Sequence, residues 1–89
     1  MAFWEDAASL WQDVLDRAID YEDKPGGNTA RLNLAECLFE LGELTKAQEV
    51  FAEVDPGIWG ENKPELENIE KVKNLMLEKM SRTLNIQLD

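Results

Sequence analysis

LNLAECLFELGELTKAQEVFAEVDP, residues 32–56, is the stretch on which the fold turns. Leu34, Ala35, Leu38 and Leu41 recur at the three- and four-residue steps that line one face of a helix. Leu32 and Phe39 stand beside that stripe and widen it, so the helix is expected to be buried on more than one flank. Gly42 follows the last apolar residue, where a left-handed C-terminal cap costs least without a Cβ. The pattern restarts at Leu44 and runs through Ala47, Val50, Phe51 and Val54. Thr45 and Gln48 have the form of a capping box, with Glu43 as the alternative cap one turn earlier. Asp55-Pro56-Gly57 then stops the second helix, because proline neither continues a helix nor leaves its predecessor easily helical. A connection this short makes the two helices antiparallel neighbours. Ala35 and Ala47 are small enough to let their backbones approach.

Working outward, residues 3–23 carry a broad apolar stripe: Phe3, Ala7, Leu10, Trp11, Val14, Leu15, Ala18 and Ile19. Aspartates 6, 13, 16, 20 and 23 stand opposite it. Asp20, Glu22 and Asp23 oppose the negative end of this helix's dipole, a local cost that can mark a functional acidic spot. Lys24-Pro25-Gly26-Gly27 reads as a linker, with Asn28 or Thr29 capping the next helix. On the far side, Asn62-Lys63-Pro64-Glu65 opens a last helix with Asn62 as its cap. Leu66, Ile69, Val72, Met76 and Met80 form its buried face, extended by Leu75 and Leu77. Glu67–Lys71 and Glu78–Arg82 are spaced for surface ion pairs, and residues 85–89 are expected to fray. The expected fold is all-α: an antiparallel helical hairpin with one flanking helix on each side. Its four helices fall at roughly residues 4–23, 28–41, 44–54 and 63–83 of a single domain spanning 1–89.

Leu34-Ala35, Leu38, Gly42, Leu44, Ala47 and Phe51 follow the order large-small, large, turn glycine, large, small, aromatic. That spacing resembles a tetratricopeptide repeat, and the resemblance covers about one repeat at residues 28–61. Arg31 stands where the family prefers an aromatic, and Val54 where it prefers a small residue. Pro56 comes early, and Trp59 lies where the family's proline belongs. No second copy occurs one repeat length away in either direction. The resemblance implies a protein-interaction module whose partner lies against the first helix of the pair, so Arg31, Glu36 and Glu40 would face it. One repeat makes a shallow groove, which a dimer or larger assembly would complete.

Charge narrows the partner. Of 89 residues, 19 are acidic and 9 basic, for a net charge of −10. Residues 1–24 and residues 25–61 each hold seven acids against two bases, whereas residues 62–89 balance at five against five. Such a surface repels nucleic-acid phosphate and favours a basic protein or peptide, with an attraction that salt weakens. The alternative is a solvated face that only keeps the chain dispersed.

Chemistry is sparse. Without histidine the commonest general base and metal ligand is missing. Cys37 sits mid-helix without a second cysteine or a base, as a buried inert thiol does, and a single cysteine suits a reducing cytoplasm. The carboxylates do not follow a calcium-loop spacing, and Gly26-Gly27 lacks the lysine of a phosphate loop. Neither a catalytic residue, a metal ligand nor a cofactor is expected, and an enzyme is not. No stretch approaches a membrane span and no signal-peptide pattern is visible, so a cytoplasmic location without membrane contact is expected. Trp4, near the start, and Trp59, in a proline-glycine connector, are harder to bury than Trp11 and are candidate anchors for a partner or a second copy. The leading expectation is an acidic adaptor. A dedicated inhibitor, of the immunity, antitoxin or phage type, whose acidic face covers a basic enzyme would show the same size and charge.

Overall fold

The computed structural model describes residues 3–60 and 63–88, with side chains to residue 82. Four α-helices account for nearly all of it: α1 (Phe3–Asp20), α2 (Lys24–Glu40), α3 (Leu44–Ala52) and α4 (Lys63–Leu88). A single 3-10 turn, Pro56–Ile58, separates α3 from α4, and no strand occurs among the described residues. α2 is the axis of the fold, because α1, α3 and α4 all pack on it. Its buried residues include Ala30, Leu32, Leu34, Ala35, Cys37, Leu38 and Phe39, which together point around most of the helix. The hairpin expected from residues 32–56 is present. Ala35 and Ala47 are both fully buried where α2 meets α3, and the Phe39 and Phe51 rings meet edge to face at 6.4 Å.

The ends of the helices follow from local chemistry. Gly42 has φ of +82°, the Gly42 N–H reaches the Phe39 carbonyl, and the Glu43 N–H reaches the Leu38 carbonyl. These are the two bonds of a Schellman cap, in the glycine-based form expected. Glu43 rather than Thr45 takes the N-cap position of α3, without a side-chain bond to it. The turn after α1 uses the same Schellman pattern, with Glu22 N–H to the Ile19 carbonyl and Asp23 N–H to the Ala18 carbonyl. Here the left-handed residue is Glu22, at φ +55°, instead of a glycine.

Three expectations are corrected at this turn. α1 ends at Asp20, and Lys24-Pro25-Gly26-Gly27 is the first turn of α2 rather than a linker. Asp23 is the cap: its Oδ1 accepts the Gly26 N–H at 3.0 Å, and Pro25 lies where its missing N–H leaves nothing unpaired. Asn28 and Thr29, the two expected caps, both lie inside α2, and Asn28 is fully buried there. Its Nδ2 donates to the Asp55 carbonyl at 2.8 Å and its Oδ1 accepts the Asp55 N–H at 2.7 Å. One side chain thus satisfies both backbone groups of the residue that ends the α3 segment. α4 runs on to Leu88 instead of ending near residue 83. The proposed cap Asn62 lies outside the described residues.

Candidate functional site

α1 and α3 lie side by side on α2 and have at most marginal contact with each other, so a valley runs between them over α2. A cleft of about 540 Å³ opens at one end, with Leu34 and Leu38 of α2 and its C-cap Leu41 among its lining. Glu5, Gln12 and Asp13 of α1 stand on one wall, and Glu43 and Lys46 on the other. At the opposite end a second cleft of about 660 Å³ lies among Ala18, Ile19, Glu22, Asp23, Arg31, Glu53, Asp55 and Ile58. Gly27 and Leu41, at the two ends of the α2 segment between them, are fourteen helical steps apart, about 21 Å at 1.5 Å per step. That length matches about six residues of extended chain.

The valley is acidic on an apolar base. Seven carboxylates line the two clefts: Glu5, Asp13 and Glu43 in the first, Glu22, Asp23, Glu53 and Asp55 in the second. Lys24, Arg31 and Lys46 oppose them. Arg31 is already engaged, because its Nε lies 3.5 Å from Glu53 Oε2. That buried Nε makes no hydrogen bond, so the pair is one of proximity rather than direction. Asp23 and Asp55 each spend one oxygen on a backbone N–H, those of Gly26 and Gly57, which sets their carboxyl groups at the valley's end.

The structure separates the residues expected to form one surface. Arg31 lies in the valley, but Glu36 and Glu40 lie on the other side of α2, under α4. Glu36 pairs with Lys71 at 3.1 Å and Glu40 with Lys79 at 3.2 Å. Lys71 thus pairs across helices, while the expected Glu78–Arg82 pair within α4 forms at 2.6 Å. Trp4 is half-buried over these pairs, near Glu36, Glu40 and Leu75, with the Phe3 ring edge-on at 4.8 Å. Trp59 is also half-buried and packs on the core together with Trp11. Trp59 therefore contributes to the core, while Trp4 lines a shallow surface hollow against α2 and α4. Asp20 is exposed at the end of α1, while Glu22 and Asp23 stand in the second cleft.

Sequence reasoning missed the valley walls Glu5, Asp13, Glu43 and Glu53. On its own helix each reads as ordinary solvated charge; only the packing of α1 and α3 on one helix faces them towards each other.

Cys37 is buried in α2, and its thiol is pushed above its ordinary range by burial and then by the neighbouring Glu36 charge. It is therefore a packed neutral group rather than a thiolate. Among the described residues no group of three or more histidine, cysteine or acidic side chains is placed to hold a metal ion. None of the described helices is long and apolar enough to cross a membrane. No protein-family model, no curated protein and no solved structure matches this chain.

Proposed function

We propose that this chain is a small protein-interaction module of tetratricopeptide-repeat type that takes a basic segment of a partner protein into the valley between α1 and α3. The observation that carries the reading is seven carboxylates along the two clefts, three beside the leucines of the first and four beside Ala18, Ile19 and Ile58 in the second. Apolar side chains of the segment would rest chiefly on the half-buried Leu41, since Leu34 and Leu38 beneath it are almost wholly covered, and lysine or arginine would meet the walls. A second support is Glu22. A glutamate held at left-handed φ costs about 1 kcal/mol that a glycine would not, and it stands in the second cleft. Acids set in a concave valley favour a segment that enters over an enzyme face that is covered, so the adaptor is preferred to the inhibitor. The repeat reading rests on the positions of Leu34, Ala35, Leu38, Gly42, Leu44, Ala47 and Phe51 in the hairpin.

The test is fluorescence anisotropy with a labelled peptide of alternating leucine and lysine, and its leucine–glutamate counterpart. The lysine peptide should bind and weaken with added salt, and Glu5→Lys/Glu43→Lys should weaken it by about tenfold or more. Both substitutions are at exposed positions. Equal binding of the two peptides, or indifference to the charge reversal, would refute the valley as the site.

A further inference from the structure

α1 has two apolar flanks, and α2 covers only one. Leu15 and Ala18 are buried against α2, and Ala8 and Trp11 pack beside them. Phe3, Leu10 and Tyr21 are 60%, 66% and 83% exposed, and Val14 is exposed with them. The Tyr21 N–H still bonds the Arg17 carbonyl, so Tyr21 continues the helical phase of α1. Residues 3, 7, 10, 14, 17 and 21 follow steps of four and three, the spacing of a coiled-coil seam. In heptad terms Ala7, Val14 and Tyr21 are the a positions, and Phe3, Leu10 and Arg17 the d positions.

The flanking positions differ in kind. Trp4, Trp11 and Ala18 at e turn inward, half-buried or buried. Asp6, Asp13 and Asp20 occupy every g position, all exposed. The seam is thus apolar except for Arg17 at its last d position, with a single charged border that is uniformly acidic. Beside its C-terminal half, Val14, Arg17 and Ala18 of α1, Tyr21 and Asp23 of the turn, and Gly26 of α2 line a hollow of about 310 Å³. A hollow there can receive one side chain from a helix laid along α1.

Charge opposes an antiparallel second copy, gives a parallel one no attraction, and favours a basic partner. In an antiparallel pair of such helices, g positions face g positions, so a second copy would bring three aspartates against three aspartates. In a parallel pair g faces e, and the e positions of a second copy are its own inward tryptophans and alanine. A helix with lysine or arginine beside its seam meets Asp6, Asp13 and Asp20 with opposite charge in either direction. We infer that the outer face of α1 is a second docking surface, built for a partner helix whose apolar seam is flanked by lysine or arginine. Its exposed apolar seam, Phe3, Leu10, Val14 and Tyr21, lines neither valley cleft, although Asp13 and Asp23 border both surfaces, and it does not depend on the valley reading.

The probe is a synthetic helix of about three heptads, with leucine at a and d and lysine at e and g, and a twin with glutamate at e and g. Titration calorimetry with the full chain should show binding of the lysine helix at least about tenfold tighter than of the glutamate twin. Leu10→Glu should weaken it by about tenfold or more, and Asp6→Lys/Asp20→Lys should transfer the preference to the glutamate twin. These three positions are exposed, so the fold survives, as circular dichroism will verify. Glu5→Lys/Glu43→Lys should leave this binding unchanged. If that valley variant abolishes it and Leu10→Glu does not, the helix sits in the valley, and the second surface is overturned while the first stands. Failure to bind, or equal binding of both helices, overturns it as well. So does sedimentation showing a wild-type dimer that Leu10→Glu disperses, because the occupant is then a second copy.

Discussion

Removing the Asn28 amide should unfasten the end of the α3 segment from α2. Asn28 is fully buried, and its two bonds, at 2.7 and 2.8 Å, go to the N–H and C=O of a residue 27 positions away. Asn28→Ala deletes both bonds, worth about 1 kcal/mol each, and leaves two part-buried backbone groups that cost about 1 kcal/mol or more apiece unpaired. Some recovery by water lowers the sum, and about 3 kcal/mol of lost stability is expected. A domain of this size has about 5–10 kcal/mol in total. With a urea slope of about 1 kcal/mol per molar, the midpoint should fall by about 3 M. Asn28→Asp separates the hydrogen bonds from the cavity, because the shape is kept. One carboxylate oxygen still accepts the Asp55 N–H, but the other replaces a donor and faces the Asp55 carbonyl. At neutral pH this variant should be at least as unstable as Asn28→Ala. Burial raises the new carboxyl's pKa in the folded state above its unfolded value. Its stability is therefore greatest at low pH, where the acid proton restores a donor, and is lost as pH rises through the folded-state pKa. Urea unfolding followed by circular dichroism at several pH values measures all of this. If either variant stays within about 1 kcal/mol of wild type at neutral pH, the amide clamp is not what holds the α3 segment.

Glu22→Gly should raise stability by about 1 kcal/mol, or about 4–8 °C in melting temperature, because the left-handed φ at this Schellman position suits glycine. The same change should weaken binding of the leucine–lysine peptide, tying the strain to the valley. Gly26 and Gly27 should respond to alanine with different signs. A Cβ on Gly27 would sit 3.5–3.9 Å from Arg31, Ala18 and Leu15, so helix propensity alone should stabilise it by about 0.5–1 kcal/mol. One on Gly26 would fall 2.2 Å from the capping Asp23 carboxylate, so thermal melting should show no gain and a loss where the cap is broken. Cys37 should resist thiol reagents in the folded chain and react on unfolding. Its pKa is higher folded than unfolded, so its contribution is complete below the unfolded value and declines as pH climbs through the folded one. Cys37→Ala should flatten that alkaline loss in a pH series of melting curves.

The helical hairpin was legible in residues 32–56 because its signals are local. The periodicity of Leu34, Leu38 and Leu41, the stop at Gly42 and the restart at Leu44 need no knowledge of the rest of the chain. The Lys24–Gly27 segment misleads because proline and glycine suit both a linker and a helix's first turn. The choice rests on Asp23, whose carboxylate reaches the Gly26 N–H. Asn28 has the composition of a cap and the position of a core residue, and its partner is remote in sequence. Glu36 and Glu40 look available until Lys71 and Lys79 arrive from α4, some 35 to 39 residues later. α1 states the division most clearly. Its sequence determines a wide apolar arc and an acidic back, but not which part of the arc is covered. Periodicity is a property of one helix, whereas burial is set by helices meeting across the chain. Only the seating of α1 on α2 placed Leu15 inside, left Leu10 outside, and opened the acidic valley to α3.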